Sequence, residues 1–217
     1  MMKKLVFLTL ALIIATSTLA AAAVHIVGGG TPNSNNTFPF WGTYPAFRWQ
    51  TMWFKSELNE PGPVTKIEWM TWNATRGGSY SNCDILLCHT GVSAITTNFA
   101  TNYGGKTPVN VYTGTYTLSS YPVDTWVTIV SPTNFTYNNT DNLLMEVSWQ
   151  GGSGSTNSMK VRTSGAGPYP GRIWNTSSKT ATTGSIQPSY HHYARITIGA
   201  IPGVAPTSLG RIKGLYN

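Results

Sequence analysis

Seven carboxylates are all the acidic side chains this 217-residue chain carries, so acid/base chemistry would have to be assembled from very few groups. Glycoside hydrolysis needs two of them about 5–9.5 Å apart. Glu68 and Glu146 fall in β-like runs and Glu57 in a turn-like one. Nothing in their spacing sets two together, and an outward-facing strand Glu is the ordinary case. A serine nucleophile calls for a Gly-x-Ser-x-Gly elbow between a strand and a helix. The nearest match, Gly152-Ser153-Gly154, lies in the small, polar stretch from Gly151 to Asn157. His191 and His192 would point to opposite faces of a strand, beside Tyr190 and Tyr193, as packed or hydrogen-bonded rings do. Cys88 and His89 lack the repeated ligand spacing of a zinc site. Gly28, Gly29 and Gly30 precede no helix and do not read as a phosphate loop. The sequence therefore offers no catalytic residue, no cofactor site and no metal site, and reads as a non-enzyme.

Cys83 and Cys88 sit on one strand-like run, where five residues separate their Cα atoms by roughly 16 Å. A disulfide needs those atoms within about 7 Å. They read as small buried side chains, even though the compartment inferred below is oxidising. That compartment follows from the N-terminus. Lys3 and Lys4 precede an apolar run from Leu5 to Ala15, then small residues through Ala23, which is the layout of a secretory signal peptide. The run is short of the ~20 apolar residues that span a bilayer, and no later segment is apolar enough to do so. The expected location is extracellular or at the cell surface, with no membrane span once residues 1–23 are removed.

The elements that would position any site are strands. Phe47, Trp49, Thr51 and Trp53 alternate with Arg48, Gln50, Met52 and Phe54, and Leu143, Met145, Val147 and Trp149 share one face of the run Asn142 to Gln150. Similar runs occur over 64–73, 84–90, 108–116, 125–130, 158–163, 172–175 and 190–198. They are separated by Gly, Pro, Asn and Ser clusters, and no long stretch has clean helical periodicity. About ten strands of this kind predict an all-β fold, a two-sheet antiparallel β-sandwich of jelly-roll or Greek-key type. Residues 38–200 form this domain, preceded by a strand-like segment and polar linker over 24–37 and followed by a tail over 201–217. The segments Arg48-Trp49-Gln50, Ser56-Glu57-Leu58, Asp84 to Thr90, Val109 to Tyr112, Trp126, Asn142 to Val147 and Arg195-Ile196 resemble an uncharacterised jelly-roll-like pattern that recurs in secreted bacterial proteins, over roughly residues 38–198. The tail Leu209 to Lys213 resembles a short ending found on some of them. The resemblance implies fold and export, and carries over no catalytic residue.

Function then rests on surfaces. The excess of 14 Lys and Arg over seven acids reflects scarce acids. The basic residues are scattered, with Lys3 and Lys4 in the leader and Arg211 and Lys213 in the tail, so nucleic acid is not an expected partner. Eight Trp and eleven Tyr exceed what one core readily uses, and such rings pack at interfaces or stack on sugars. Trp49, Trp53, Trp72 and Trp149 are the candidate contact rings. The β-prone Val24, His25, Ile26 and Val27, hinged on three glycines, could add a strand to a neighbour's sheet edge or fold back as the first strand of their own sheet. Asn35, Asn73, Asn134, Asn138 and Asn175 open Asn-x-Ser/Thr sequons, acceptors for glycan in a host that glycosylates them. The reading favoured is a secreted structural or adhesive protein that self-assembles as a homo-oligomer, extracellular filament or surface layer. A carbohydrate-binding protein with a polysaccharide partner is the alternative. If the leader reading is right, the intact mass of the exported protein places its N-terminus within a few residues of Val24; retention of Met1 on the exported molecule overturns it.

Overall fold

A computed structural model describes residues 22–154, 157–163 and 169–199. The expected leader, apart from Ala22 and Ala23, lies outside the described residues, as do the expected tail and residues 164–168. In chain order the strands are β1 (Ala23–Val27), β2 (Ser34–Asn36), β3 (Ala46–Trp53), β4 (Gly62–Met70), β5 (Gly78–Thr90), β6 (Val109–Leu118), β7 (Trp126–Val130), β8 (Thr136–Tyr137), β9 (Asn142–Gln150), β10 (Gly152–Gly154), β11 (Met159–Thr163), β12 (Arg172–Asn175), β13 (Ser185–Gln187), β14 (Tyr190–His192) and β15 (Ala194–Ile198). One four-residue helix, α1 (Lys55–Leu58), and a 3-10 turn over Thr101–Tyr103 interrupt them.

Every strand pair is antiparallel. One sheet runs β1-β15-β4-β7 with β8 on the start of β4. A larger one runs β5-β9-β3-β12-β13, with β6 along one edge of β5 and β10 pairing with its first residues. A small third sheet runs β14-β11-β2. The apolar residues that alternate along β3, β5 and β9 meet those of β4, β7 and β15 in one core, including Phe47, Trp49, Trp53, Ile67, Trp69, Ile85, Met145, Val147, Trp149 and Ile196. Trp49 and Trp69 touch edge-on, centroids 5.4 Å apart, joining the larger sheet to the smaller. Burying each such ring contributes about 1.5–3 kcal/mol. On the other face of the larger sheet, Met52, Cys88, Leu144 and Ile173 pack under Ile95 and Phe99 of the loop that follows β5. Strands β3 and β9 are therefore buried on both faces.

The structure is all-β, with a sandwich-like core, as the alternation predicts. It departs from the sequence reading in three places. The segment 24–37 is part of the body, since β1 pairs with β15 and β2 with β11. The stretch 151–157, whose small, polar composition marks no strand, contains β10, which pairs with Gly78–Tyr80. The run 190–198 breaks at Tyr193, whose N–H turns to the carbonyl of Lys160. Its two halves thus join different sheets, β14 pairing with β11 and β15 with β1 and β4.

Both cysteines lie on β5 as free, buried thiols, on opposite faces. Cys83 enters the main core, and Cys88 the cluster beneath the loop. Burial pushes the Cys83 thiol up to about 12 and the Cys88 thiol up to about 11, so neither is a ready thiolate nucleophile. Non-reducing peptide mapping is expected to recover both as thiols; an 83–88 bridge would show β5 to be bent in solution.

Candidate functional site

β1 ends its sheet. β15 pairs with its inner edge in full register, from Ala23 opposite Ile198 to Val27 opposite Ala194, and no described strand takes the outer edge. The alternation sends Val27 into the core and Val24 and Ile26 outward, 57% and 52% exposed. With Val123 they are the exposed large hydrophobics among the described residues. Val24, His25, Ile26 and Val27 lie in the folded-back arrangement, as the edge strand of their own sheet. The local reason is proximity: β15 offers it an open ladder, and the turn that follows finds an anion.

That anion is Glu57. Gly28, Gly29 and Gly30 have φ of +114°, +73° and +100°, and a Cβ at Gly28 would lie 2.6 Å from the carbonyl oxygen of His192, so a side chain fits neither the backbone nor the space. Gly28 and Gly29 N–H donate to Glu57 Oε1 at 2.9 and 3.1 Å, and Phe54 N–H donates to Oε2 at 3.0 Å. Successive N–H groups of this kind form an anion-binding concavity, filled here from within the chain. His191 Nε2 stands 3.2 Å from Oε2, without the alignment of a hydrogen bond. Burial pushes the Glu57 carboxyl up, but the His191 ring and the backbone donors outweigh it and hold the group below its ordinary value of 4.5. The sequence reading missed this contact because 29 residues separate Gly28 from Glu57; three glycines directly after a strand were the available signal.

The candidate aromatic contacts are largely corrected. Trp49, Trp53 and Trp149 are fully buried. The indole N–H groups of Trp53 and Trp149 donate to the carbonyls of His192 and Pro39. These three are core residues because they stand on the faces of β3 and β9 turned toward the smaller sheet, in the same apolar stripe that the alternation marks. Trp72 is half-buried. Among the other half-buried rings, Phe38, Trp41, Tyr44 and Trp174 form one cluster, with Phe38 against each of the other three at 5.4 to 6.2 Å. Trp174 also walls a shallow polar recess of about 280 Å³, shared with Asn175, Thr176, Ser177, Thr183, Gly184 and Ser185. Of the sequon asparagines, Asn35, Asn73, Asn134 and Asn138 are exposed and Asn175 is half-buried in that recess.

The strand carboxylates do not meet. Glu68 lies on the outer face of β4, where Arg195 grips it through Nε and Nη2 at 2.6 and 2.7 Å. Glu146 lies on the outer face of β9, across the core, and is only 3% exposed. Arg48 donates to both of its oxygens, at 2.9 and 3.0 Å, joined by Gln50 at 2.7 Å and Tyr103 at 2.6 Å. Both are occupied structural groups, and at 4% and 3% exposure neither Glu68 nor Glu146 is the surface-facing Glu that strand periodicity predicts. No group of three or more His, Cys, Asp or Glu among the described residues could hold a metal ion. No family model matches the chain, and no curated protein or solved structure is similar to it.

Glu57 ties the end of β1 to α1, so Glu57→Gln is expected to cost about 1–3 kcal/mol and to speed amide exchange over 23–27. Since folding lowers the pKa of Glu57, its contribution is present above about pH 4.5 and is lost as pH falls below. Denaturation from pH 7 to 3 should show β1 protection holding to about pH 5 and then failing, with the variant losing part of that acid step. Unchanged exchange in the variant would mean the latch does not hold the strand.

Proposed function

We propose that this chain is an exported structural or adhesive protein, a subunit of an extracellular filament or surface layer, whose copies join through the outer edge of β1. The observation that carries the reading is the pairing of an open strand edge with two outward apolar side chains, Val24 and Ile26. Sheet edges are ordinarily blunted by charge, proline or cover. An open edge bearing β-branched residues is suited to strand addition, in which main-chain hydrogen bonds supply affinity and alternate side chains supply fit. Two β1 strands meeting antiparallel would close a twofold dimer. The meeting of β1 with a different edge would repeat head to tail and build a filament. In this reading the two larger sheets form the sandwich of jelly-roll or Greek-key type, with the chemistry left to its edges. A non-enzymatic role accords with the carboxylates, each of which is taken up by a structural partner.

A second reading, glycan binding, is favoured by the recess beside Trp174, where one indole face adjoins hydroxyl and amide side chains in the combination that holds a sugar ring. Here too the protein is exported, with a polysaccharide as partner.

The variant Val24→Lys with Ile26→Lys separates the two. Both side chains face solvent, so the thermal midpoint should move little. Light scattering at high concentration is expected to show association of the wild type and a monomeric double variant. A wild-type protein that stays monomeric throughout sinks the assembly reading and moves the weight to the recess, which a glycan array then tests.

A further inference from the structure

Arg172 is a buried cation for which no side chain of the protein supplies a counter-charge. It sits on β12, directly opposite Thr51 of β3 and Gln187 of β13, and is 6% exposed. Its guanidinium lies over three rings, 5.1 Å from Phe38, 4.9 Å from Trp174 and 4.1 Å from Tyr190. One edge is satisfied, since Nε and Nη2 both donate to Gln187 Oε1 at 3.2 and 2.6 Å. The remaining nitrogen, Nη1, is buried with no hydrogen-bond partner among the described residues.

All seven carboxylates lie among the described residues, and each is engaged elsewhere. Glu57 holds Gly28, Gly29 and Phe54, Glu60 faces His25, and Glu68 grips Arg195. Asp84 pairs with Lys179, Asp124 with Lys160, Asp141 with the Asn138 amide, and Glu146 with Arg48. Ring faces offset part of the cost of a buried guanidinium, yet a buried charge without a counter-ion is strongly unfavourable. Burial lowers the Arg172 pKa only to about 10, so the charge persists at neutral pH.

The surroundings add donors. Thr51 Oγ1, Trp49 Nε1 and His192 Nδ1 are also buried without partners. Thr51 is the cross-strand neighbour of Arg172, Trp49 is two residues along the same face of β3, and the His192 ring is 4.7 Å from Trp49. His192 Nε2 lies 2.8 Å from the Asn36 amide nitrogen, whose own oxygen is taken by Phe38 N–H. Nε2 is thus the acceptor, and Nδ1 carries the proton. Each of these groups can donate, and of them only the Thr51 hydroxyl can also accept, so the corner has more donors than acceptors and no negative charge.

We propose that Arg172 Nη1 holds a small monovalent anion of the halide class, taken from the surrounding solution. A single guanidinium matches a single negative charge. The covered position of Nη1 favours an ion that is small and gives up its water more easily than phosphate or sulfate. Such an ion accepts from a donor without a fixed lone-pair direction, and it supplies the charge that water cannot.

Bromide is the probe. In crystals of the full chain grown in bromide, an anomalous peak is expected within about 3.5 Å of Nη1. In solution, the thermal midpoint should rise saturably, on the order of 3 °C, as gluconate is replaced by bromide at constant ionic strength. Arg172→Met should lose that dependence, and Arg195→Met, which removes a surface arginine, should keep it. Should Arg172→Met fail to fold, the anomalous map of the wild type decides alone. A water at Nη1 without anomalous signal, equal midpoints in the two salts, or a bromide effect that survives in Arg172→Met would each overturn the proposal.

Discussion

Scarcity of carboxylates constrains this fold more than any other feature. With seven to place, each holds something specific, and the buried Glu146 holds the most. Arg48, gripping both Glu146 oxygens, extends Nη1 to the carbonyl of Ala181, and Gln50 reaches from the same carboxylate to the carbonyl of Phe99. Asn102 closes the group, donating to Gln50 Oε1 and accepting from Thr96. One carboxylate thus pins two separate loops to the outer face of the larger sheet and seals Met52, Cys88 and Leu144 beneath them. An ion pair whose carboxylate is 3% exposed is costly to desolvate and is retained only where its remaining hydrogen bonds are made. Here they are. The network defines which loops cover the sheet, while the apolar contacts around it provide the burial.

The aromatic surplus has a comparable explanation. The faces of β3 and β9 turned toward the smaller sheet take in Phe47, Trp49, Trp53 and Trp149, while Met52 and Leu144 fill the opposite face beneath the loop. Phe40 of the preceding segment stacks on Tyr116 at 4.9 Å and touches Trp69 and Tyr80, bringing a loop residue into the same core. Ring count alone therefore overstates the aromatic surface. The half-buried rings that remain include the edge group around Phe38, Trp41, Tyr44 and Trp174 and the stacked pair Trp126 and Tyr193.

Strands with one strong period were legible in the sequence. The run Asn142–Gln150 and the run Arg172–Asn175 agree with the structure residue for residue, since alternation and turn signals both bound them. β2, β8, β10 and β13 span two or three residues each, too few for any period. The break at Tyr193 was hidden because β14 and β15 are each strand-like, and only the pull of Lys160 in another sheet separates them. The opposed cysteine faces were legible from strand geometry. Arg172 was not, because an Arg beginning a short strand reads as solvent-facing, and its inward turn depends on Phe38 and Tyr190, far away in sequence. The glycine turn was visible, but its ligand, Glu57, was not.

The folding back of β1 bears on how its outer edge could work. A free peptide that pairs with a neighbour must be ordered at the moment of binding, which subtracts from affinity. β1 is ordered beforehand: β15 fixes its register, Val27 is anchored in the core, and Glu57 fastens the turn at its end. An incoming strand would meet main-chain groups already in place, with Val24 and Ile26 already turned outward, so that little conformational entropy remains to be lost on this side of the contact. The same arrangement limits exchange of β1 between copies, because withdrawing it would take the Gly28 and Gly29 N–H donors from Glu57 and expose Val27. Edge addition is on these grounds the lower-cost route to association, and the glycine turn, which looked like a hinge for a mobile arm, acts as the clasp that holds the edge rigid.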